Sequence, residues 1–545
     1  MKNREIKGNR RKTLSIVLLL LFTAVGCTKN FEDLNTNPSG VSDGEANADY
    51  AQLTAFLAQG QWCIIPDIFG PGGSYQLTNN LTSDGYAGYF GLPAPFAGSS
   101  NTLNYNIVPG WIANTSARYV DAMNPLYKLE GQTRNDKAQE DIFAFAKLLK
   151  VSVMHRMSDR FGPIIYSKYN SLNAAGGIDY DSEQDLFKQY FQDLDTVADI
   201  LRGISGNATS PAMAIADLGY GKDNYAHHLK IANTLRLRLA MRIALVDPAE
   251  AKTQGEKALD PASGGLLENT ADNWSVSLPS DHPLNTLTND WTDTRMHASM
   301  ESFLMGYNDP RLEKHWLPAT APSSVAGQYK GIRTGINISA KDDYVGFSKL
   351  RPLENRMQLM VASEAWFLKA EAALRGWANA GDAKVNYETG VRSSFAMHGL
   401  TETEATAYLA DATKTAAPYT DPVNPAEHDI PAGSPLLSTI TIAWNDAADN
   451  NEKLERIITQ KWLAIFPDGD EAWAEYRRTG YPKLFPVVKN DSNGAIPSVP
   501  GIRRLPFMNN EYNSNRAAVE AAIVMLGGPD NGGTRLWWDV ENKGF

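Results

Sequence analysis

Two carboxylates, Glu471 and Glu475, stand four residues apart in the run Asp468–Tyr476 and would share one helix face. They do not make an acid–base pair for glycan cleavage, because that chemistry needs carboxyl groups on opposite sides of the scissile bond. Glu475 is spaced instead to pair with Arg478 three residues on. His155 lies in a helical run without a second histidine at i±4, so it reads as a core or boundary residue rather than a metal ligand. Asn490-Asp491-Ser492-Asn493-Gly494 hints at a calcium loop, but Lys489 occupies the first ligand position. There is no H-E-x-x-H, G-x-S-x-G, P-loop or dinucleotide fingerprint, and two cysteines cannot build a cysteine metal site. No catalytic, metal-ligating or cofactor-binding residue is assigned.

The chemistry that remains is non-covalent recognition. Residues 60–111 hold nine aromatics, nine glycines and five prolines, and no Lys or Arg occurs from Asn30 to Ala117. Rings interleaved with amides suit a neutral, hydroxyl-rich ligand, whose C–H faces stack while its hydroxyls hydrogen-bond. The expected surface is the aromatic loop 75–111, facing a second insertion at 264–297. Tyr86, Tyr89 and Trp111 are the first stacking candidates and Trp274 and Trp291 the second, with Asn80, Asn289 and Arg295 supplying hydrogen bonds. The same rings could instead pin a long irregular loop to the core.

Helices must position these loops. Ile142, Phe145, Leu149 and Val153 recur about every four residues, as do Leu186, Tyr190, Leu194, Val197 and Leu201. Ser182 with Asp185 three residues on resembles a capping box. Apolar periodicity pairs 141–161 with 183–202, 226–246 with 249–260, and 361–377 with 383–398. A hairpin at 452–480 closes the set, stopped by Gly480 and Pro482. Arg236, Arg238 and Arg242 either snorkel or pair with carboxylates. The fold class is mainly α: a tetratricopeptide-like scaffold of helical hairpins with long irregular insertions, although the period is far from a clean repeat.

At the N-terminus six basic residues precede the apolar run Leu14–Phe22, and Ala24-Val25-Gly26 leads to Cys27. This order marks residues 1–26 as a signal peptide and resembles a lipobox, with Cys27 taking the lipid and residues 27–40 forming a tether before one domain at 41–545. Removing 1–26 leaves 45 basic against 61 acidic residues, a net charge of −16, which argues against nucleic acid.

Gln460-Lys461-Trp462-x-Ala464-x-Phe466 followed by Glu471-Ala-Trp-Ala-Glu-Tyr-Arg-Arg-Thr-Gly-Tyr-Pro482 resembles the C-terminal signature of SusD/RagB-type nutrient-binding outer-membrane lipoproteins. Asn35–Pro38, Asp159–Tyr166, Asn308–Leu312, Arg503–Phe507 and Leu536–Asp539 resemble further elements of that family. The resemblance implies four helical pairs carrying long loops and a lipid-anchored protein facing the cell exterior. It also implies capture of an oligosaccharide or other nutrient, and delivery to a SusC-like TonB-dependent transporter. A helical-repeat scaffold that binds only proteins, or an all-helical glycan-cleaving enzyme, are the competing readings. The lipidation reading carries a direct test: Cys27→Ala should abolish incorporation of labelled palmitate and release the protein from membranes, and label retained by the variant would contradict it.

Overall fold

Apolar side chains at every third or fourth position form helices where the periodicity predicts them. The computed structural model describes residues 50–65, 73–96, 101–219 and 225–545. The expected signal peptide at 1–26, Cys27, the expected tether at 27–40 and Phe69 lie outside the described residues. Thr54–Phe545 is one unit, and Met1–Leu53 is another.

The long helices of the larger unit are α1 (Pro109–Thr133), α2 (Glu140–Phe161), α3 (Glu183–Ile204), α4 (Tyr225–Arg242), α5 (Pro248–Leu259), α6 (Ala362–Leu374), α7 (Ala383–Met397), α8 (Asn450–Ala464) and α9 (Gly469–Thr479). The pairs α2/α3, α4/α5, α6/α7 and α8/α9 pack as the sequence pattern anticipates. Their starts are fixed by side-chain caps that satisfy otherwise orphaned amides. Ser182, Asp247, Asp382 and Asp449 each accept from the amide three residues on, at Asp185, Glu250, Val385 and Glu452 respectively. Gly480, at φ 79°, ends α9 in the left-handed conformation that a side chain would disfavour.

Helix α1 is the element that composition conceals. It runs for 25 residues through an internal proline, Pro125, and begins inside the stretch read as a loop. Two short antiparallel ladders fasten the insertions. β1 (Phe90–Gly91) pairs with β3 (Arg295–Met296), and β2 (Trp274–Ser277) pairs with β4 (Arg356–Met360).

The centre of the scaffold is ionic. Arg238 forks onto Glu364 at 2.8 and 2.6 Å. Arg242 reaches Glu471 at 2.5 Å and Glu475 at 2.9 Å. Lys461 lies 3.3–3.5 Å from Glu364, Glu471 and Glu475. Arg478 bridges Glu371 and Glu475 at 2.6–2.7 Å. All of these side chains are buried. The 471/475 pair is therefore consumed by cations of α4, α8 and α9, and His155 is a core residue whose Nδ1 bonds the Val151 carbonyl at 2.9 Å.

Burial alone would raise the Glu371 carboxyl, but Arg478 and Arg375 outweigh it and hold the group at about 2. A depressed carboxyl contributes its stability above its ordinary value of 4.5 and loses it as pH falls toward about 2. Arg478→Met should cost about 3–5 kcal/mol at neutral pH, because it removes a buried bidentate partner and leaves the Glu371 carboxylate with Arg375 alone. The deficit should shrink as pH falls from 4.5 toward about 2, where the contribution of the paired Glu371 carboxylate is lost from the unsubstituted protein. Urea unfolding across that range checks this, and a loss under about 1 kcal/mol at pH 7 would contradict it.

Candidate ligand-binding site

Trp291 follows a wide helical turn, Thr286–Asp290, that its own amide helps close by donating to the Thr286 carbonyl at 2.9 Å. Thr292 then takes a positive φ of 57°, and the amide of Asp293 donates back to Leu287 at 2.8 Å before the chain enters β3. This tight reversal leaves the indole 37% exposed, in a protein whose other tryptophans include four of the most deeply buried side chains. Asn289 lies half-buried in the same turn.

Polar contacts hold the turn in place. Lys341 Nζ donates to the Trp291 carbonyl at 2.7 Å and pairs with Asp293 at 2.8 Å. Gln76 Nε2 donates to the other Asp293 oxygen at 3.0 Å, and Asn80 Nδ2 donates to Thr294 Oγ1 at 3.2 Å. A Cβ on Gly73 would sit 3.9 Å from the indole, so segment 73–83 flanks the ring directly. That segment packs along α1, and Trp111, half-buried in the first turn of α1, meets Phe96 edge-on at 6.5 Å. The result is an indole on a fixed turn, bordered by an amide and a mutually neutralised Lys–Asp pair. Lys341 and Asp293 are 48 residues apart, and no local sequence signal pairs them.

Other expected contacts are placed differently. Tyr86 is buried, tilted onto Trp473 at 5.2 Å, with its hydroxyl donating to the Thr102 carbonyl at 3.0 Å. Tyr89 stacks on Trp462 at 5.4 Å and donates to that residue's carbonyl at 2.6 Å. Trp274 is buried in β2. These three rings are buried and serve as core pins. Asn80 is buried on Thr294, and the Arg295 guanidinium is consumed by the carbonyls of Thr288, Thr294 and Val345, with burial lowering its pKa to about 10. For Asn80 and Tyr86 the physical reason is that 76–86 is helical rather than an open loop, while Trp274 and Arg295 lie in paired strands. The glycine of 76–86 serves close packing: a Cβ on Gly85 would come within 2.5 Å of Leu103.

Comparison with known proteins identifies the family. Residues 33–539 match the family model described as SusD-like, Susd and RagB outer membrane lipoprotein. The chain belongs to the SusD/RagB family. A chitin-binding SusD homolog from Flavobacterium johnsoniae is similar in structure, with a TM-score of 0.84 and 41% identity over 90% of this chain and 99% of its own. A SusD homolog from Bacteroides vulgatus gives a TM-score of 0.85 at 33% identity, covering 91% of this chain and 100% of its own. A SusD-like protein from Bacteroides thetaiotaomicron gives 0.82 at 33%, covering 90% and 100%. A search of curated proteins gives no match. The tetratricopeptide-like helical fold is thus shared with SusD-like structures, and the family is one of outer-membrane lipoproteins. Among the described residues no helix is long and apolar enough to cross a membrane.

Proposed function

We propose that this SusD-like protein is a cell-surface lipoprotein, anchored through Cys27 after removal of residues 1–26. It binds neutral oligosaccharides at Trp291 and delivers them to a SusC-like TonB-dependent transporter without cleaving them. The observation that carries the binding reading is the exposed indole on a braced turn. Trp111 and Asn289 are retained as proposed contacts from the sequence, and Gln76, Asp293 and Lys341 are added. Backbone closure and Lys341 hold the Trp291 main chain in place without a ligand, so little backbone ordering cost falls on binding. The bordering Lys–Asp pair cancels in charge, which suits a hydroxyl rim better than an ionised ligand. The chitin-binding relative makes chitin oligomers the first ligands to try.

An aromatic contact contributes about 0.5–1.5 kcal/mol beyond area burial, so Trp291→Ala should weaken oligosaccharide binding about tenfold while leaving the melting temperature unchanged. Tyr86→Ala should do the reverse, lowering stability by about 3–5 kcal/mol as a large buried ring is lost, with the folded fraction binding normally. Calorimetry and thermal melting of both variants separate these outcomes, and unchanged affinity in Trp291→Ala would move the site elsewhere. Purification of the lipidated protein in mild detergent should bring down a large outer-membrane barrel. Its absence under conditions that preserve membrane complexes would contradict the delivery role.

A further inference from the structure

Helix α1 carries a second set of rings. Tyr169 lies between Tyr119 and Tyr127, with centroids 6.1 and 5.6 Å away, and Tyr127 is 42% exposed. The Tyr169 hydroxyl donates to Asn124 Oδ1 at 2.5 Å, and that of Tyr119 donates to the Ile165 carbonyl. The three rings therefore form a strip of mutually tilted rings, at 61° and 56°, with an amide at its edge.

The strip leads into a cavity. Tyr119 walls a half-open space of about 80 Å³ between α1, the end of α2 and residues 507–511, with Met157, Phe161, Ile164 and Phe507 buried around it. Val120, 43% exposed, also lines it. Among the described residues Glu511 is the one charged group of the lining, and its carboxylate accepts from the Tyr180 hydroxyl at 2.9 Å.

Lining and charge restrict the occupant. The cavity is open on one side, so a substituent of a ligand lying on the surface can enter it. Apolar walls favour a methyl-bearing group, and a carboxylate at the edge favours an N–H donor and disfavours an anion. An acetamido group has both features: its methyl fills the apolar end while its N–H donates to Glu511. Rings with an adjacent amide suit the rest of the sugar chain, as they do at Trp291.

We propose that this surface is a second glycan-binding site, where Tyr127 and Tyr169 stack on the sugar and the cavity beside Tyr119 receives the acetamido group of an N-acetylated amino sugar. This rests on the reading that the chain binds oligosaccharides, and it adds a subsite that distinguishes acetylated from plain glucans.

The test is calorimetric titration of the full chain in mild detergent with chitotetraose and with cellotetraose, which has the same linkage without acetamido groups. A Trp291→Ala background, in which the first site is weakened about tenfold, brings out the second site. There, chitotetraose should still bind, and either Tyr127→Ala or Val120→Trp, both at exposed positions, should weaken it about tenfold. Cellotetraose should bind that background at least about tenfold more weakly than chitotetraose. Residual binding that neither substitution changes, or complete loss of binding with Trp291→Ala alone, overturns the second site. Equal affinity for the two sugars in that background overturns the acetamido assignment. If the unsubstituted chain binds neither sugar nor any other oligosaccharide, the functional reading fails and this inference with it.

Discussion

A buried guanidinium is unfavourable by several kcal/mol unless carboxylates pair with it. Arg242 meets that condition only where α4 and α9 lie in one register, since its partners Glu471 and Glu475 are successive turns of α9. Arg238 adds α6 through Glu364, Lys461 adds α8, and Arg478 returns to α6 through Glu371. At the head of α9, Arg156 and Arg160 of α2 close on Asp468 and Asp470. Apolar packing alone would tolerate small slips between these helices; paired buried charges do not, because a slip strands an ion.

That constraint extends to the ligand side. Asn79 donates to Asp470 at 3.3 Å, and Arg160 donates to the Thr78 carbonyl at 2.6 Å, so segment 73–83 is fastened to the ionic centre. The same segment presents Gln76 to Asp293 and lies against Trp291. A continuous set of polar contacts thus runs from the helical core to the turn that holds the exposed indole. The proposed binding surface is therefore built on long insertions whose backbone is tied to the helical core.

The helical pairs are legible in the sequence because apolar residues at 3.6 spacing are a direct consequence of packing one face of a helix. The cap residues and Gly480 mark their ends for equally local reasons. The pairing of Glu475 with Arg478 is also readable, being a contact within one turn. Polarity misleads when it is used as a sign of exposure. Thr78, Asn79, Asn80, Thr82 and Asp84 are all buried, and Thr78, Asn79, Asn80 and Thr82 bond to partners inside the protein. Sequence alone shows the polar groups but not their distant partners, such as Asp470 and Thr294. The same error draws Tyr86 and Tyr89 to the surface. Trp291, a second choice on composition, is the exposed ring among the five candidates, and the positive φ at Thr292 and the reach of Lys341 that place it are tertiary facts.

The central claim is that Trp291, and not the more numerous buried rings, meets the ligand. Indole N–H resonances report it most directly, since each of the 12 tryptophans gives one signal and Trp291→Phe identifies the one of interest. On saturation with a bound oligosaccharide, the Trp291 signal should shift, while those of the buried Trp274, Trp462, Trp473 and Trp538 should stay in place. A Trp291 signal unmoved at saturation would contradict the account.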